Sequence, residues 1–223
     1  MNTKLKAVIF DMDGLMLDTE VLAIMSLRKA ADAIGISLTD EVVMAMNGLN
    51  EYDANILLEK ELGQPFDREK FSEAFYEDYH KRTILNDSIP IKEGLIELID
   101  YLKENNIKLA VATSTKADVA LKKLKLARIA NRFEIIVGGD QVVRGKPAPD
   151  PYLKAADKLG VDIKNCLALE DSDNGAMSAF SAGIRVIVVP DIKQPSQATK
   201  EIALTICNSL PEVRKVILKN FLI

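Results

Sequence analysis

Histidine is almost missing from this chain: there is one, His80, in 223 residues. A multi-histidine metal centre is thereby excluded, and a histidine-based triad would hang on that single imidazole. It lies within Phe71-x3-Phe75-Tyr76-x2-Tyr79, an aromatic stripe at helical spacing that reads as helix packing. Cysteine is scarce too: Cys166 and Cys207 cannot build a disulfide framework, and Cys166, inside an apolar run, reads as a small core residue. No long hydrophobic run follows Lys4 and Lys6, because Asp11 interrupts after Ala7-Val-Ile-Phe10. That is too short for a signal-peptide core or a spanning helix, so a cytoplasmic protein is expected. Nor is there an excess of positive charge: 29 Lys and Arg against 33 Asp and Glu leave a net charge of −4. This argues against a nucleic-acid partner. The densest basic run, Lys122-Lys123-Leu-Lys125-Leu-Ala-Arg128, reads as the solvated face of an amphipathic helix.

What is present is an ordinary soluble composition, 48% hydrophobic and 28% charged, at a length sufficient for one well-buried core and a smaller satellite domain. Internal repeats and low-complexity tracts are absent. Ala7 to Phe10 is the kind of apolar run that a parallel strand buried on both faces requires, and it stops at Asp11-x-Asp13-Gly14. Side chains two residues apart on a strand share a face, about 6.5 Å along the chain. Taken alone, Asp-x-Asp-Gly is more often an Asx-type turn than a catalytic pair.

The next strand-like run, Lys108 to Thr113, arrives only after a long helical stretch. Helices are predicted over Glu20 to Ile34, Asp40 to Met46, Asn50 to Leu62 and Asp67 to about Arg82, making an all-helical insertion over residues 18–86. Residues 1–17 and 87–223 then form an α/β core. Joints near Leu15 to Thr19 and Asn86 to Lys92 would make the insertion a lid. Beyond Glu93 the alternation of a crossover fold resumes, with strands at Phe133 to Val137, Cys166 to Leu169 and Arg185 to Val189. Thr115 and Asp118 can form a capping box for the basic helix.

Three strands thus end in polar groups: Asp11 and Asp13, Thr113 and Ser114, Glu170 and Asp171. Lys146 sits on a proline-stiffened loop, Gly145-Lys-Pro-Ala-Pro149. In a twisted parallel sheet such ends converge on one crevice. Four carboxylates there repel by about 4 kcal/mol per close pair at an effective dielectric near 20, and one lysine compensates only once. Either some are protonated or a divalent cation is present, and an all-oxygen set suits Mg²⁺. A metal, a lysine and a hydroxyl around an acid pair describe phosphoryl transfer.

Asp11-x-Asp13-Gly-x3-Asp18-Thr19-Glu20, Thr113-Ser114-Thr115, Gly145-Lys146-Pro147-x-Pro149 and Glu170-Asp171-Ser-x-x-Gly175 resemble, in order, the four signatures of the haloacid dehalogenase-like hydrolase superfamily. The chain is more narrowly similar to the branch of β-phosphoglucomutases and sugar phosphatases with a helical cap. The resemblance implies a Rossmann-like, doubly wound parallel sheet of order 3-2-1-4-5. It implies that Asp11 is the nucleophile, forming an aspartyl-phosphate, and that Asp13 protonates the leaving oxygen and then activates water. Thr113 would bond a phosphoryl oxygen and Lys146 would neutralise Asp11. Mg²⁺ would be held by Asp11, Asp171 and the backbone carbonyl of Asp13, with Glu170 assisting. Thr19 and Ser114 of the same motifs, and Gly48, Asn50 and Glu51 in the cap loop, are the candidate substrate contacts.

One departure bears on substrate. The mutases that the chain resembles carry a histidine and an arginine where Ala23 and Glu51 stand here. An acid in place of an anion-binding arginine favours a phosphatase over a phosphoglucomutase-type isomerase. The expectation is a monomeric, Mg²⁺-dependent phosphatase of a small phosphomonoester such as a sugar phosphate, with no nucleic-acid or membrane partner. A true dehalogenase has no use for an acid at Asp13, and a phospho-accepting receiver has no use for a helical lid.

Overall fold

The computed structural model describes residues 4–46, 51–85 and 88–221. The chain divides into two compact units, Met1–Asp18 with Ile89–Ile223, and Thr19–Ser88. In chain order, strand β1 (Ala7–Phe10) is followed by four helices, α1 (Glu20–Ala33), α2 (Asp40–Met46), α3 (Glu51–Leu62) and α4 (Arg68–His80). The larger unit continues with α5 (Leu95–Glu104), β2 (Lys108–Ala112), α6 (Ala117–Leu126), β3 (Ile135–Val137), α7 (Asp150–Leu159) and β4 (Cys166–Glu170). It ends with α8 (Asp173–Ser181), β5 (Arg185–Val188), α9 (Gln197–Ile202), β6 (Thr205–Ile206) and α10 (Leu210–Asn220).

The sheet is parallel throughout, in the order β3-β2-β1-β4-β5-β6. The expected five strands therefore stand in the expected order, and β6 extends the edge. This two-residue strand, Thr205–Ile206, is too short for periodicity to reveal. Strand alternation sorts the core into two layers. Val8 and Phe10 pack with Leu98, Leu102, Leu124 and Ile217 on one face, whereas Ala7 and Ile9 pack with Tyr152, Ala155, Ala176 and Ala179 on the other. Alanine dominates the second layer and lets α7 and α8 lie close to the sheet.

The smaller unit has its own core of Leu27, Ala30, Ala31, Val43, Leu58 and Phe71. Its helices begin and end within a residue or two of the predicted limits. The aromatic stripe packs as expected, with Phe75 stacked on Tyr79 at 5.6 Å and Phe66 edge-on to Phe71. Among the described residues no helix is long and apolar enough to cross a membrane.

The expectation of loose joints needs correction on the core side. Leu15, Met16 and Leu17 are buried, and Leu17 pairs antiparallel with Ile91. The Asp18 N–H donates to the Pro90 carbonyl and the Lys92 N–H to that of Met16, each at 2.9 Å. Lys92 Nζ then bridges Asp18 at 2.8 Å and Asp191 at 2.6 Å. Apolar side chains and a shared cation zip the two segments together, so residues 16–18 and 90–92 belong to the larger unit. Asn86 and Asp87 lie outside the described residues.

Phe10 makes a direct test of this core, being fully buried and edge-on to Phe133 at 5.6 Å. Phe10→Ala is expected to cost about 3–5 kcal/mol; a urea titration in which it costs less than about 1 kcal/mol contradicts the packing.

Candidate active site

Register places the acids. Phe10 pairs with Val111 on one side and Leu169 on the other, so the following residue, Asp11, emerges level with Ala112 and Glu170. Its N–H still donates to the Leu169 carbonyl at 2.9 Å, which extends the ladder to the point where the carboxylate leaves the sheet. Parallel strands present their carboxyl ends at a single edge, and there Asp11, Glu170 and Asp171 bring carboxylate oxygens within 4.8 Å of one another.

Lys146 joins two of them. Its Nζ lies 2.5 Å from Asp11 Oδ1 and 2.5 Å from Glu170 Oε1, with the lysine side chain 5% exposed. The loop carrying it is fixed at several points: Ser178 Oγ donates to the Ala148 carbonyl, the Ala148 N–H to that of Gly145, and Arg144 pairs with Asp150. Pro149 stands at the start of α7, where a missing N–H costs nothing.

Glu170 is wholly buried, and both its oxygens are engaged. Oε1 accepts the Tyr152 hydroxyl at 2.6 Å as well as Lys146, while Oε2 accepts the Asp171 N–H and the Ser172 hydroxyl, each at 3.2 Å. Glu170 therefore anchors the lysine with both of its own oxygens committed. Gly14, at φ +86°, closes the loop against this edge: a Cβ there would lie 2.2 Å from Asp171 Oδ2.

Electrostatics follow from burial. Desolvation is the largest influence on Asp11; Lys146 pulls its carboxyl down, Glu170 and Asp13 push it up, and it is raised to about 7. For Lys146 burial opposes the charge, yet Asp11 and Glu170 outweigh it and hold the ammonium above the ordinary lysine range. Burial, reinforced by Glu170, pushes the Tyr152 hydroxyl well up, so it stays a donor. A bound cation would favour the ionised Asp11 that burial disfavours. The donor set of hard carboxylate oxygens fits Mg²⁺.

The Asp13 side chain stands apart from that trio. Its Oδ2 accepts the Thr115 hydroxyl at 2.8 Å and its Oδ1 accepts Lys123 Nζ at 2.8 Å. Any contribution of Asp13 to a metal site would thus come from its backbone. Lys123 is only 4% exposed, which corrects the reading of the basic run as entirely solvated. Lys122, Lys125 and Arg128 are exposed, whereas Lys123 shares the inward stripe of Ala120, Leu124 and Ala127. That phase was the signal available in the sequence, and charge composition concealed it. The Thr115–Asp118 capping box does not form either. Thr115 is committed to Asp13, α6 starts at Ala117, and the Ala117 N–H donates instead to Asp140 at 2.7 Å.

Of the remaining predicted residues, Thr113 is buried, and its Oγ1 accepts the Thr115 N–H at 3.1 Å. Ser114 is exposed, its carbonyl packed on Gly139 so closely that a Cβ there would fall 2.4 Å away. Thr19 opens the smaller unit, buried, with its carbonyl accepting the Ala23 N–H. Glu51 begins α3 and accepts the Ser72 hydroxyl at 2.5 Å and the Tyr76 hydroxyl at 3.1 Å. Gly48 and Asn50 lie outside the described residues. Sequence reasoning missed Thr115, Lys123 and Tyr152 as partners of the acids.

Within the smaller unit a cavity of about 240 Å³ is lined by Phe71, Phe75, Tyr76 and Tyr79 together with Glu51 and Asn55, among others. Neither lysine nor arginine occurs among its described lining residues.

The sequence model of the family described as haloacid dehalogenase-like hydrolase matches residues 8–189. The phosphorylated carbohydrates phosphatase of Thermotoga maritima is 34% identical over 183 residues, covering 82% of this chain and 84% of the relative. The fructose-1-phosphate phosphatase YqaB of Escherichia coli is 30% identical over 185 residues, covering 82% of this chain and 95% of its own. The crystal structure of CbbY from Rhodobacter sphaeroides in complex with phosphate is 27% identical, with a TM-score of 0.72 over 94% of this chain and 96% of that one.

Gly175 offers a test of how Glu170 is seated. It lies in the first turn of α8, where Gly→Ala ordinarily gains about 0.5–1 kcal/mol. Here a Cβ would lie 2.0 Å from Glu170 Cδ and from both its oxygens. Gly175→Ala is therefore expected to lose about 1–3 kcal/mol in urea unfolding; a stabilised variant would show that the Glu170 pocket is not as tight as described.

Proposed function

The chain belongs to the haloacid dehalogenase-like hydrolases, and from that premise we propose that it is a Mg²⁺-dependent phosphatase of a small phosphomonoester, a sugar phosphate or a similar polyol phosphate. The observation that carries this reading is Lys146 held 2.5 Å from Asp11 at the edge where Asp11, Glu170 and Asp171 converge. A carboxylate backed by a buried ammonium and aimed out of the sheet is equipped to attack an electrophile that carries negative charge.

In the first half-reaction an Asp11 oxygen bonds to phosphorus, the bond to the leaving oxygen breaks, and Asp13 gives its proton to that oxygen. The products are an alcohol and an aspartyl-phosphate. Asp13, now ionised, takes a proton from water as the water oxygen bonds to phosphorus, and Asp11 departs from inorganic phosphate. Lys146 balances charge beside Asp11 through both steps. Thr113 Oγ1 accepts the Thr115 N–H, and its own hydrogen would donate to a phosphoryl oxygen. Asp11, Asp171 and the Asp13 carbonyl would hold Mg²⁺ with Glu170 behind, and the ion would supply positive charge for the phosphoryl oxygens.

Selectivity would come from the helical unit acting as a cap. Its cavity combines aromatic walls with carboxylates and offers no cationic side chain among its described residues, which suits a neutral, hydroxyl-bearing organic group. A second phosphate would require an arginine or lysine grip. The phosphoglucomutase reading is weaker for that reason.

With p-nitrophenyl phosphate and Mg²⁺, sustained phosphate release is expected, abolished by chelation, restored by added Mg²⁺ and lowered more than about 10³-fold in Asp11→Asn. Turnover that persists in Asp11→Asn would rule out the aspartyl-phosphate route. In a panel of phosphorylated metabolites, sugar monophosphates are expected to exceed the matching bisphosphates in kcat/KM by about tenfold or more, the scale of one lost charged contact; a preference for bisphosphates would count against the cap assignment.

A further inference from the structure

Lys123 is a buried charge that the chemistry above does not use. It sits in the second turn of α6 on the stripe that faces the sheet, its side chain 5% exposed, and its Nζ is 2.8 Å from Asp13 Oδ1. Sequestering an ammonium is costly unless it is paired, and a lysine in a helix whose other basic residues reach solvent could do the same. The second oxygen of Asp13 is held by a different element: Thr115, in the loop before α6, donates to Oδ2 at 2.8 Å. A carboxylate gripped on both oxygens from two directions has its plane fixed as well as its position.

We propose that Lys123 is a positioning residue for Asp13, which together with Thr115 sets the orientation in which the Asp13 carboxyl meets the leaving oxygen. The inference rests on the phosphatase reading for the proton that Asp13 carries, and it adds α6 to the elements that govern catalysis. Gly138 and Gly139 serve the same arrangement. A Cβ on Gly138 would lie 2.3 Å from the Ala117 nitrogen and one on Gly139 2.4 Å from the Ser114 carbonyl oxygen, so the loop after β3 is pressed against the start of α6 and holds its angle.

The test uses leaving groups of unequal need. Phenyl phosphate expels an oxygen with a pKa near that of tyrosine, about 10, and depends on a well-aimed acid. p-Nitrophenyl phosphate expels a far better leaving group and depends on it little. In Lys123→Met, kcat/KM for phenyl phosphate is expected to fall about tenfold or more, the lower part of the range for acid catalysis, while that for p-nitrophenyl phosphate changes by no more than about threefold. Lys123→Arg should recover part of the loss on phenyl phosphate, and Thr115→Val should reproduce the same split, which keeps the inference testable if Lys123→Met does not fold. An equal fall on both esters, or no fall on either, overturns it, since general damage to the fold cannot distinguish leaving groups. Should the wild-type protein hydrolyse neither ester, the phosphatase reading fails by itself. The crystal structure of Lys123→Met then decides the inference: Asp13 turned away from its position supports it, and Asp13 unmoved overturns it.

Discussion

The larger unit is built around one buried ion-pair arrangement, Lys146 shared between Asp11 and Glu170. A parallel sheet delivers its strand ends to one edge, so acids at the ends of β1 and β4 are forced together by the same register that forms the core. Without a cation between them the two carboxylates would repel across a poorly screened gap. With it, each of the surrounding features has a reason. Tyr152 shares the Glu170 Oε1 with the lysine, the N–H of Asp171 takes up Oε2, and Gly175 removes a side chain that would displace them. Burial still wins at Asp11, whose carboxyl rises to about 7. A buried pair that leaves Asp11 only partly ionised at neutral pH is a site suited to a further positive charge.

Layer composition supports the same end. Ala168, Ala176 and Ala179 on the α7 and α8 side are small and pack in one cluster with Tyr152, whose hydroxyl lies 2.6 Å from Glu170. The opposite layer uses larger residues, Phe10, Leu98 and Leu124 among them. From that side Lys123 reaches Asp13 in the loop after β1.

Much of this was legible beforehand. Apolar runs ending in acids reveal β1 and β4, and the gap before β2 reveals the helical insertion, because burial on both faces and helical spacing leave plain marks on a sequence. What stayed hidden was whatever depends on which neighbour a helix meets. Lys123 looks like its solvated neighbours until its partner Asp13 is placed beside it, although its phase with Ala120 and Leu124 was the available clue. Thr115 presents itself as a helix cap, and only a carboxylate from the far end of the chain explains why it does not act as one. The joints misled for a similar reason: Leu15 to Leu17 are apolar, but nothing local says that Ile91 will pair with them.

Charge at the strand ends connects these parts. Asp11, Asp13, Glu170 and Asp171 bring four negative charges when ionised, and Lys146 alone would leave three uncompensated, more than one divalent ion balances. Lys123 removes one of them through Asp13, and the two that remain equal the charge of a single Mg²⁺. The division is also spatial. Lys146 lies with the acids that would share the ion, whereas Lys123 draws Asp13's carboxylate aside to the α6 wall. On the phosphatase reading, one acid would thereby be kept out of the metal group and available to move protons. Two lysines, Lys146 in the loop before α7 and Lys123 in α6, thus treat chemically similar carboxylates differently: Asp11 and Glu170 share the first and Asp13 takes the second, a distinction that the carboxylates by themselves could not make.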